Sequence, residues 1–223
     1  MIDRGLPREY TLLIAGSPHT ADYDLIRQLA AHASRVIAID SGADVANAAG
    51  VIPEILIGDL DSVNALTLAA LRSEGVEIHA VDSHKDETDL ELALAYCARL
   101  PEGCSVVVTN VLGGRVDHEL VALGALVRVG HLRPLIVERT VTVLFLNKEH
   151  ASVVLATHGA APGTVVSVVA LEGEAVVSES GMEYNLDHAK LRALDPHGVS
   201  NIVRHQDACI TVHEGSIAIF INR

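Results

Sequence analysis

Two different periodicities divide the chain and predict its fold class. Up to about residue 140, apolar runs of strand length alternate with stretches of helical period. From Val141 onward, short β-branched runs are separated by turn signals. The first pattern predicts an α/β domain over 1–140 with a mainly parallel sheet. The second predicts an all-β domain over 141–223, of sandwich or barrel type. A third observation places the chemistry: four of the early apolar runs lead directly into acidic or glycine-rich loops.

In chain order, Thr11–Ala15 reads as the opening strand, ending at Gly16-Ser17-Pro18. Asp22–Ala33 reads as a helix with Leu25, Ile26, Leu29 and Ala30 on one face. The Val36–Ile39 strand runs into Asp40-Ser41-Gly42-Ala43-Asp44, and a short helix fits Val45–Ala49. Ile55–Ile57 runs into Gly58-Asp59-Leu60-Asp61-Ser62, followed by a helix over Asn64–Ser73. Ile78–Val81 leads to Asp82 and then Asp86-Glu87-Thr88-Asp89. The helix over Thr88–Leu100 opens with the T-x-x-E capping box of Thr88 and Glu91. Val106–Val108 leads to Gly113-Gly114-Arg115-Val116-Asp117-His118 and a helix to Val129. Leu135–Glu138 closes the series as a strand. The later runs are Val141–Leu146, Ser152–Ala156, Val165–Ala170, Ala175–Val177, Cys209–Val212 and Ile217–Ile221.

A hydrophobic fraction of 49% with only 3% aromatics implies a core of Val, Ile, Leu and Ala. The net charge of −13 argues against a nucleic-acid polymer or an anionic membrane as partner. No apolar run reaches the ~18 residues of a membrane span, and the N-terminus lacks a signal-peptide pattern. Lys85, Lys148 and Lys190 are the three lysines, and none lies in a phosphate-binding GxxxxGK loop. Cys97, Cys104 and Cys209 lack CxxC spacing and read as reduced core thiols of a cytoplasmic protein. Twelve scattered histidines show no zinc-ligand spacing.

In a parallel sheet, ligands bind outside the carboxyl ends of the strands, so the acidic loops share one rim. Two carboxylates ~5 Å apart repel by roughly 3 kcal/mol at an effective dielectric near 20. Such a rim implies a bound cation, and hard oxygen ligands suggest Mg²⁺. Helix capping accounts equally for Asp44, Asp61 or Asp89 taken singly. It accounts less well for the group, since Thr88 already caps its helix and leaves Asp86 unexplained. Asp59 and Asp61 occupy alternate positions, and in extended backbone residues two apart point the same way, so the two can chelate one ion together. Gly113-Gly114 allows close backbone approach, Arg115 offers a fork for phosphate oxygens, and the following helix start adds amides. An Arg115–Asp117 bridge within a plain turn is the structural alternative. His118 alone reads as an interior histidine, Tyr184 as a core or interface aromatic, and Ser200-Asn201 as turn chemistry.

These motifs together resemble the thiamine pyrophosphokinase family over nearly the whole length. The resemblance rests on Asp40–Asp44, Gly58–Ser62, Asp86–Asp89, Gly113–His118 and the late Gly198-Val199-Ser200-Asn201. It implies transfer of the pyrophosphoryl group of ATP to the thiamine hydroxyl, giving thiamine diphosphate and AMP. It also implies a homodimer with active sites between the α/β domain of one subunit and the β domain of the other. By position, Asp59, Asp61 and Asp86 resemble the Mg²⁺ ligands, with Asp40 and Asp89 as further catalytic carboxylates. Gly113, Gly114, Arg115, Asp117 and His118 resemble the ATP-side loop. Tyr184, Ser200 and Asn201 resemble residues near thiamine. On this resemblance 1–140 is the nucleotide- and Mg-binding catalytic domain and 141–223 the thiamine-binding domain. The chain departs from the family in having Ser41 and Asp44 in its first acidic loop and no Trp. The residues alone also admit a pyrophosphokinase for another hydroxymethyl heterocycle such as a pterin, a Mg-dependent phosphohydrolase, or a non-catalytic nucleotide-binding module.

Overall fold

A computed structural model describes residues 5–18, 21–82, 86–100 and 105–223. It forms two compact units, Arg8–Ala125 and Leu126–Arg223, the latter together with the described residues before Arg8. Lys85 and Cys104 lie outside the described residues. No helix among the described residues is long and apolar enough to cross a membrane.

The first unit is built on five parallel strands. These are β1 (Tyr10–Ile14), β2 (Arg35–Ile39), β3 (Ile55–Gly58), β4 (Glu77–Ala80) and β5 (Ser105–Thr109). Their order is β5-β1-β2-β3-β4. The chain steps outward from β1 to β4 and then returns to the other side of β1. A topological switch point therefore lies between β1 and β5, where a crevice forms at the carboxyl ends. The crossovers carry α1 (Tyr23–Ala30), α2 (Gly42–Ala48), α3 (Ala65–Ser73) and α4 (Asp89–Cys97), while α5 (Val116–Arg128) follows β5.

Local signals explain the helix starts. Asp22 caps α1 by accepting from the Leu25 amide at 3.0 Å. Asn64 caps α3 by accepting from the Leu66 amide at 2.8 Å. The capping box at α4 is present, with Thr88 accepting from Glu91 N and Glu91 from Thr88 N. β1 is buried along its whole length, which a strand covered on both faces requires. Tyr10 is fully buried and donates its hydroxyl to Leu29 O at 2.7 Å, tying β1 to the end of α1. Burial pushes this phenol up to about 12. Cys97 is a buried free thiol, as expected, whereas Cys209 is only half-buried.

The second unit is a β-sandwich, the C-terminal architecture the turn spacing predicts. One sheet runs β12-β9-β14-β7-β6, from β6 (Leu135–Val137), β7 (Val141–Asn147), β9 (Val165–Ala170), β12 (Asn201–Ile202) and β14 (Ser216–Asn222). The other runs β11-β10-β13-β8, from β8 (Ser152–Val154), β10 (Glu174–Ser180), β11 (Leu186–Arg192) and β13 (Cys209–Glu214). Within the unit β13 packs on β7 and β10 on β14. Two elements escape sequence reasoning. β11 is charged and irregular, and it forms because it pairs antiparallel with β10. Its charges and its bulge suit an unpaired sheet edge. β12 is too short to show a period.

Candidate functional site

All five parallel strands deliver their loops to one rim, and the backbone there is unusual. Asp40 follows β2 directly at φ 46, Leu60 follows β3 at φ 67, and Asn110 follows β5 at φ 56. Left-handed conformations in non-glycine residues cost energy and cluster at functional sites. Here neighbouring strands hold them. Asp40 N donates to Ile57 O at 2.9 Å, and Asp40 O accepts from Ala43 N at 2.9 Å. Asn110 is buried and donates its side-chain amide to Ala15 O and Ser17 O at 2.9 and 3.2 Å. It thereby stitches the β1 loop to the β5 loop at the switch point. Gly42 starts α2 so close to β1 that a Cβ would sit 2.0 Å from Ile14 O, so that position accepts glycine alone.

The result is a cleft of about 670 Å³, all of it within the first unit. Its lining includes Ser17, Asp40, Asp59, Asp89, Arg115, Asp117 and His118. Carboxylate oxygens of Asp40, Asp59 and Asp89 lie within 4.8 Å of one another. Asp40 Oδ2 accepts from Ser62, while its buried Oδ1 has no hydrogen-bond partner. An orphaned buried oxygen on a carboxylate that clusters with two others fits a hard cation such as Mg²⁺.

Of the expected metal group Asp59, Asp61 and Asp86, Asp59 lies in this cluster with Asp40 and Asp89, and Asp61 adjoins it. Leu60 is left-handed, so the backbone between them is not extended, yet the Asp59 and Asp61 side chains still meet in a hydrogen bond. Asp61 is exposed, and its amide donates to Asp59 Oδ1 at 3.3 Å. The neighbouring Asp59 carboxylate raises the Asp61 pKa first, with desolvation and the Asp40 and Asp89 charges adding. Asp61 thus lies in the field of the cluster. Asp86 is exposed in the turn before α4. Asp44 caps nothing in α2 and instead accepts from Asn64 N at 3.0 Å, bracing the β3 loop.

In the same cleft lining, Arg115 and Asp117 form a two-point ion pair, Nε to Oδ1 at 3.2 Å and a terminal nitrogen to Oδ2 at 2.6 Å. The guanidinium hydrogen bond holds the Asp117 carboxyl down at about 2. This is the structural alternative named for the loop, and it leaves Arg115 in the cleft lining. His118 is exposed rather than interior. The amides of Gly113 and Gly114 donate to Glu119 Oε1 at 2.9 and 2.7 Å. The two amides expected to face a phosphate therefore already hold an anionic oxygen. Sequence reasoning missed Glu119, although a carboxylate one turn into the helix is a capping-like signal.

The C-terminal candidates lie together in the second unit. Tyr184 is exposed at 68%, so it is not a core aromatic. Asn201 is buried at 7%. It accepts from Tyr184 N at 3.1 Å and donates to Tyr184 O at 2.7 Å. Ser200 is left-handed at φ 61, with its amide donating to Ser167 Oγ at 3.0 Å. Sequence reasoning also missed Glu179, which is 1% exposed and accepts from Asn201 Nδ2 at 2.8 Å. Strand alternation would have found it. Ala175, Val177 and Glu179 share the inward face of β10, and the expected strand ended two residues early.

Known proteins resemble both units. The family model described as "Thiamin pyrophosphokinase, catalytic domain" matches residues 26–137, and "Thiamin pyrophosphokinase, vitamin B1 binding domain" matches 152–217. Thiamine pyrophosphokinase 1 of Oryza sativa subsp. japonica is 24% identical over 164 residues, 71% of this chain. The match spans only 62% of that relative's length. Thiamine pyrophosphokinase of Bacillus subtilis (strain 168) is 30% identical over 108 residues, 48% of this chain and 50% of the relative. Among solved structures, the B. subtilis thiamine pyrophosphokinase superposes with a TM-score of 0.79 at 18% identity, covering 96% of this chain and 98% of that one. Yeast thiamin pyrophosphokinase gives 0.79 at 13% identity, with 99% and 88% covered. At these identities the structural likeness is one of fold.

Proposed function

Because the chain belongs to the thiamine pyrophosphokinase family, we propose that it transfers the pyrophosphoryl group of ATP to the hydroxyl of thiamine, forming thiamine diphosphate and AMP. The observation that carries this reading is one cleft lined by both a three-carboxylate cluster and Arg115. Mg²⁺ is a cation and the triphosphate an anion, and a lining that carries both carboxylates and an arginine suits the pair.

Asp40, Asp59 and Asp89 would hold Mg²⁺, with Asp61 and Asp86 adding negative charge from the rim. When bound, the ion would offset charge on the phosphates and align them. Arg115, His118 and the Gly113-Gly114 amides would bind the phosphate oxygens. Those amides already donate to the Glu119 carboxylate, whose oxygen a phosphate oxygen would replace. Pyrophosphoryl transfer needs positioning and charge neutralisation more than covalent help. In-line attack by the thiamine hydroxyl on the β-phosphorus would release AMP, with a cluster carboxylate taking the hydroxyl proton. Tyr184 would stack on the aminopyrimidine, held by Asn201 beside Ser200. The division of labour would place nucleotide and Mg²⁺ on 1–140 and thiamine on 141–223. A cytoplasmic homodimer completes the reading, and sedimentation equilibrium tests the dimer.

The deciding experiment is AMP formation from ATP and Mg²⁺ with and without thiamine, with the product identified by mass. Thiamine-dependent AMP with a product heavier than thiamine by one pyrophosphoryl group is the expected result. Acceptor-independent phosphate release would point to a phosphohydrolase. Equal turnover of a hydroxymethyl pterin would move the substrate assignment.

A further inference from the structure

Glu179 is a carboxyl in the interior of a β-sandwich, one of the least favourable places for such a group. It is 1% exposed, one oxygen accepts from Asn201 Nδ2 at 2.8 Å, and the other has no hydrogen-bond partner. A group buried at this cost with half its capacity unused calls for an explanation other than stability.

The partner supplies one. The Asn201 side chain is fully engaged. Its oxygen accepts from Tyr184 N at 3.1 Å and Ile202 N at 2.9 Å, and its nitrogen donates to Tyr184 O at 2.7 Å and to Glu179. Both main-chain polar groups of Tyr184 are therefore held by one amide. The rest of the turn is pinned separately, Met182 N by Asn185 Oδ1 at 3.0 Å and Glu183 N by Ile202 O at 2.8 Å. The Tyr184 ring stands out of this turn, exposed. Without Glu179, a buried Asn201 N–H loses its partner, and the amide can twist away from Tyr184.

We propose that Glu179 is a positioning residue: by holding the Asn201 amide it fixes the main chain of Tyr184 and sets the affinity of the ring-binding loop for its heterocyclic alcohol, leaving the nucleotide side unaffected. This rests on the thiamine reading above. The side chain touches Asn201 rather than any reacting atom, so it acts on binding and not on the chemical step.

The test compares Glu179→Met and Glu179→Gln. Both keep an unbranched side chain of similar length, but only Gln retains a carbonyl acceptor for Asn201. Loss of one buried hydrogen bond is worth about tenfold. Glu179→Met is expected to raise the thiamine KM about tenfold, with kcat and the ATP KM within about twofold of the unsubstituted chain. Glu179→Gln is expected to restore the thiamine KM. Amide hydrogen exchange without substrate gives a second readout. The Tyr184 N–H should exchange faster in Glu179→Met alone, with the β1 amides unchanged. An unchanged thiamine KM in Glu179→Met, parallel loss of both KM values, or equal effects of Met and Gln would overturn the proposal. So would a Glu179→Met chain that does not fold, because the carboxyl would then be structural. If the unsubstituted chain forms no thiamine-dependent AMP, the functional reading fails instead, and the exchange measurement still decides whether Glu179 positions Tyr184.

Discussion

Replacing Glu179 with Gln should make the protein's stability less sensitive to pH, and the size of the effect follows from burial. Desolvation in the sandwich raises this carboxyl from its ordinary 4.5 to about 7, opposed only partly by the Asn201 hydrogen bond. The folded state therefore binds a proton more readily than the unfolded chain between those values. Stability from this group is fully present below pH 4.5 and is lost as pH rises through about 7. At about 1.4 kcal/mol per pH unit, the loss is roughly 3 kcal/mol. Gln cannot ionise, so the variant escapes it. Its amide N–H beside the unpartnered site adds a penalty that is constant with pH, so the slope carries the test. Urea unfolding of both chains at pH 4.5, 6, 7 and 8 should show the Gln variant gaining roughly 3 kcal/mol relative to the parent across the series. In thermal scans this is about 6–12 °C for a chain of this size. A stability difference that stays constant from pH 4.5 to 8 would refute the argument, and so would one that shrinks.

Asp59→Asn and Asp40→Asn should each lower turnover by about 10²–10³-fold at saturating Mg²⁺, as expected for losing a group that positions charge in the transition state. Asp61→Asn should instead raise the Mg²⁺ needed for half-activity while saturating Mg²⁺ restores most turnover; a loss that Mg²⁺ cannot restore would place Asp61 among the direct ligands. Tyr184→Ala should raise the thiamine KM more than the ATP KM, and equal effects would remove Tyr184 from the ring site. Arg115→Ala should raise the ATP KM and let the Asp117 carboxyl return upward from about 2, read by NMR titration. An Asp117 that stays near 2 without Arg115 would show that the ion pair is not what holds it down.

Much of the fold is legible in sequence because period and capping are local properties. Leu25, Ile26 and Leu29 repeat at helical spacing and are buried together in α1. Thr88 and Glu91 announce the start of α4 three residues apart. β11 was not legible. Leu186–Arg192 lacks a strand composition and exists as a strand only because β10 offers it a partner.

The candidate site divides in the same way. The sequence by itself determined which loops carry carboxylates, that they follow strands of one parallel sheet, and that a Gly-Gly-Arg loop ends β5. Those facts depend on residue order and on the rule that parallel strands end on one rim. Only the tertiary structure decided which carboxylates meet. Asp40, Asp59 and Asp89 come from three different loops, and their convergence depends on strand order and on left-handed turns at Asp40 and Leu60. It likewise decided that the Gly113 and Gly114 amides hold Glu119, and that Glu179 reaches Asn201, 22 residues away, through the sandwich interior. Side-chain chemistry is written residue by residue, whereas proximity between distant residues arises only when the sheets pack.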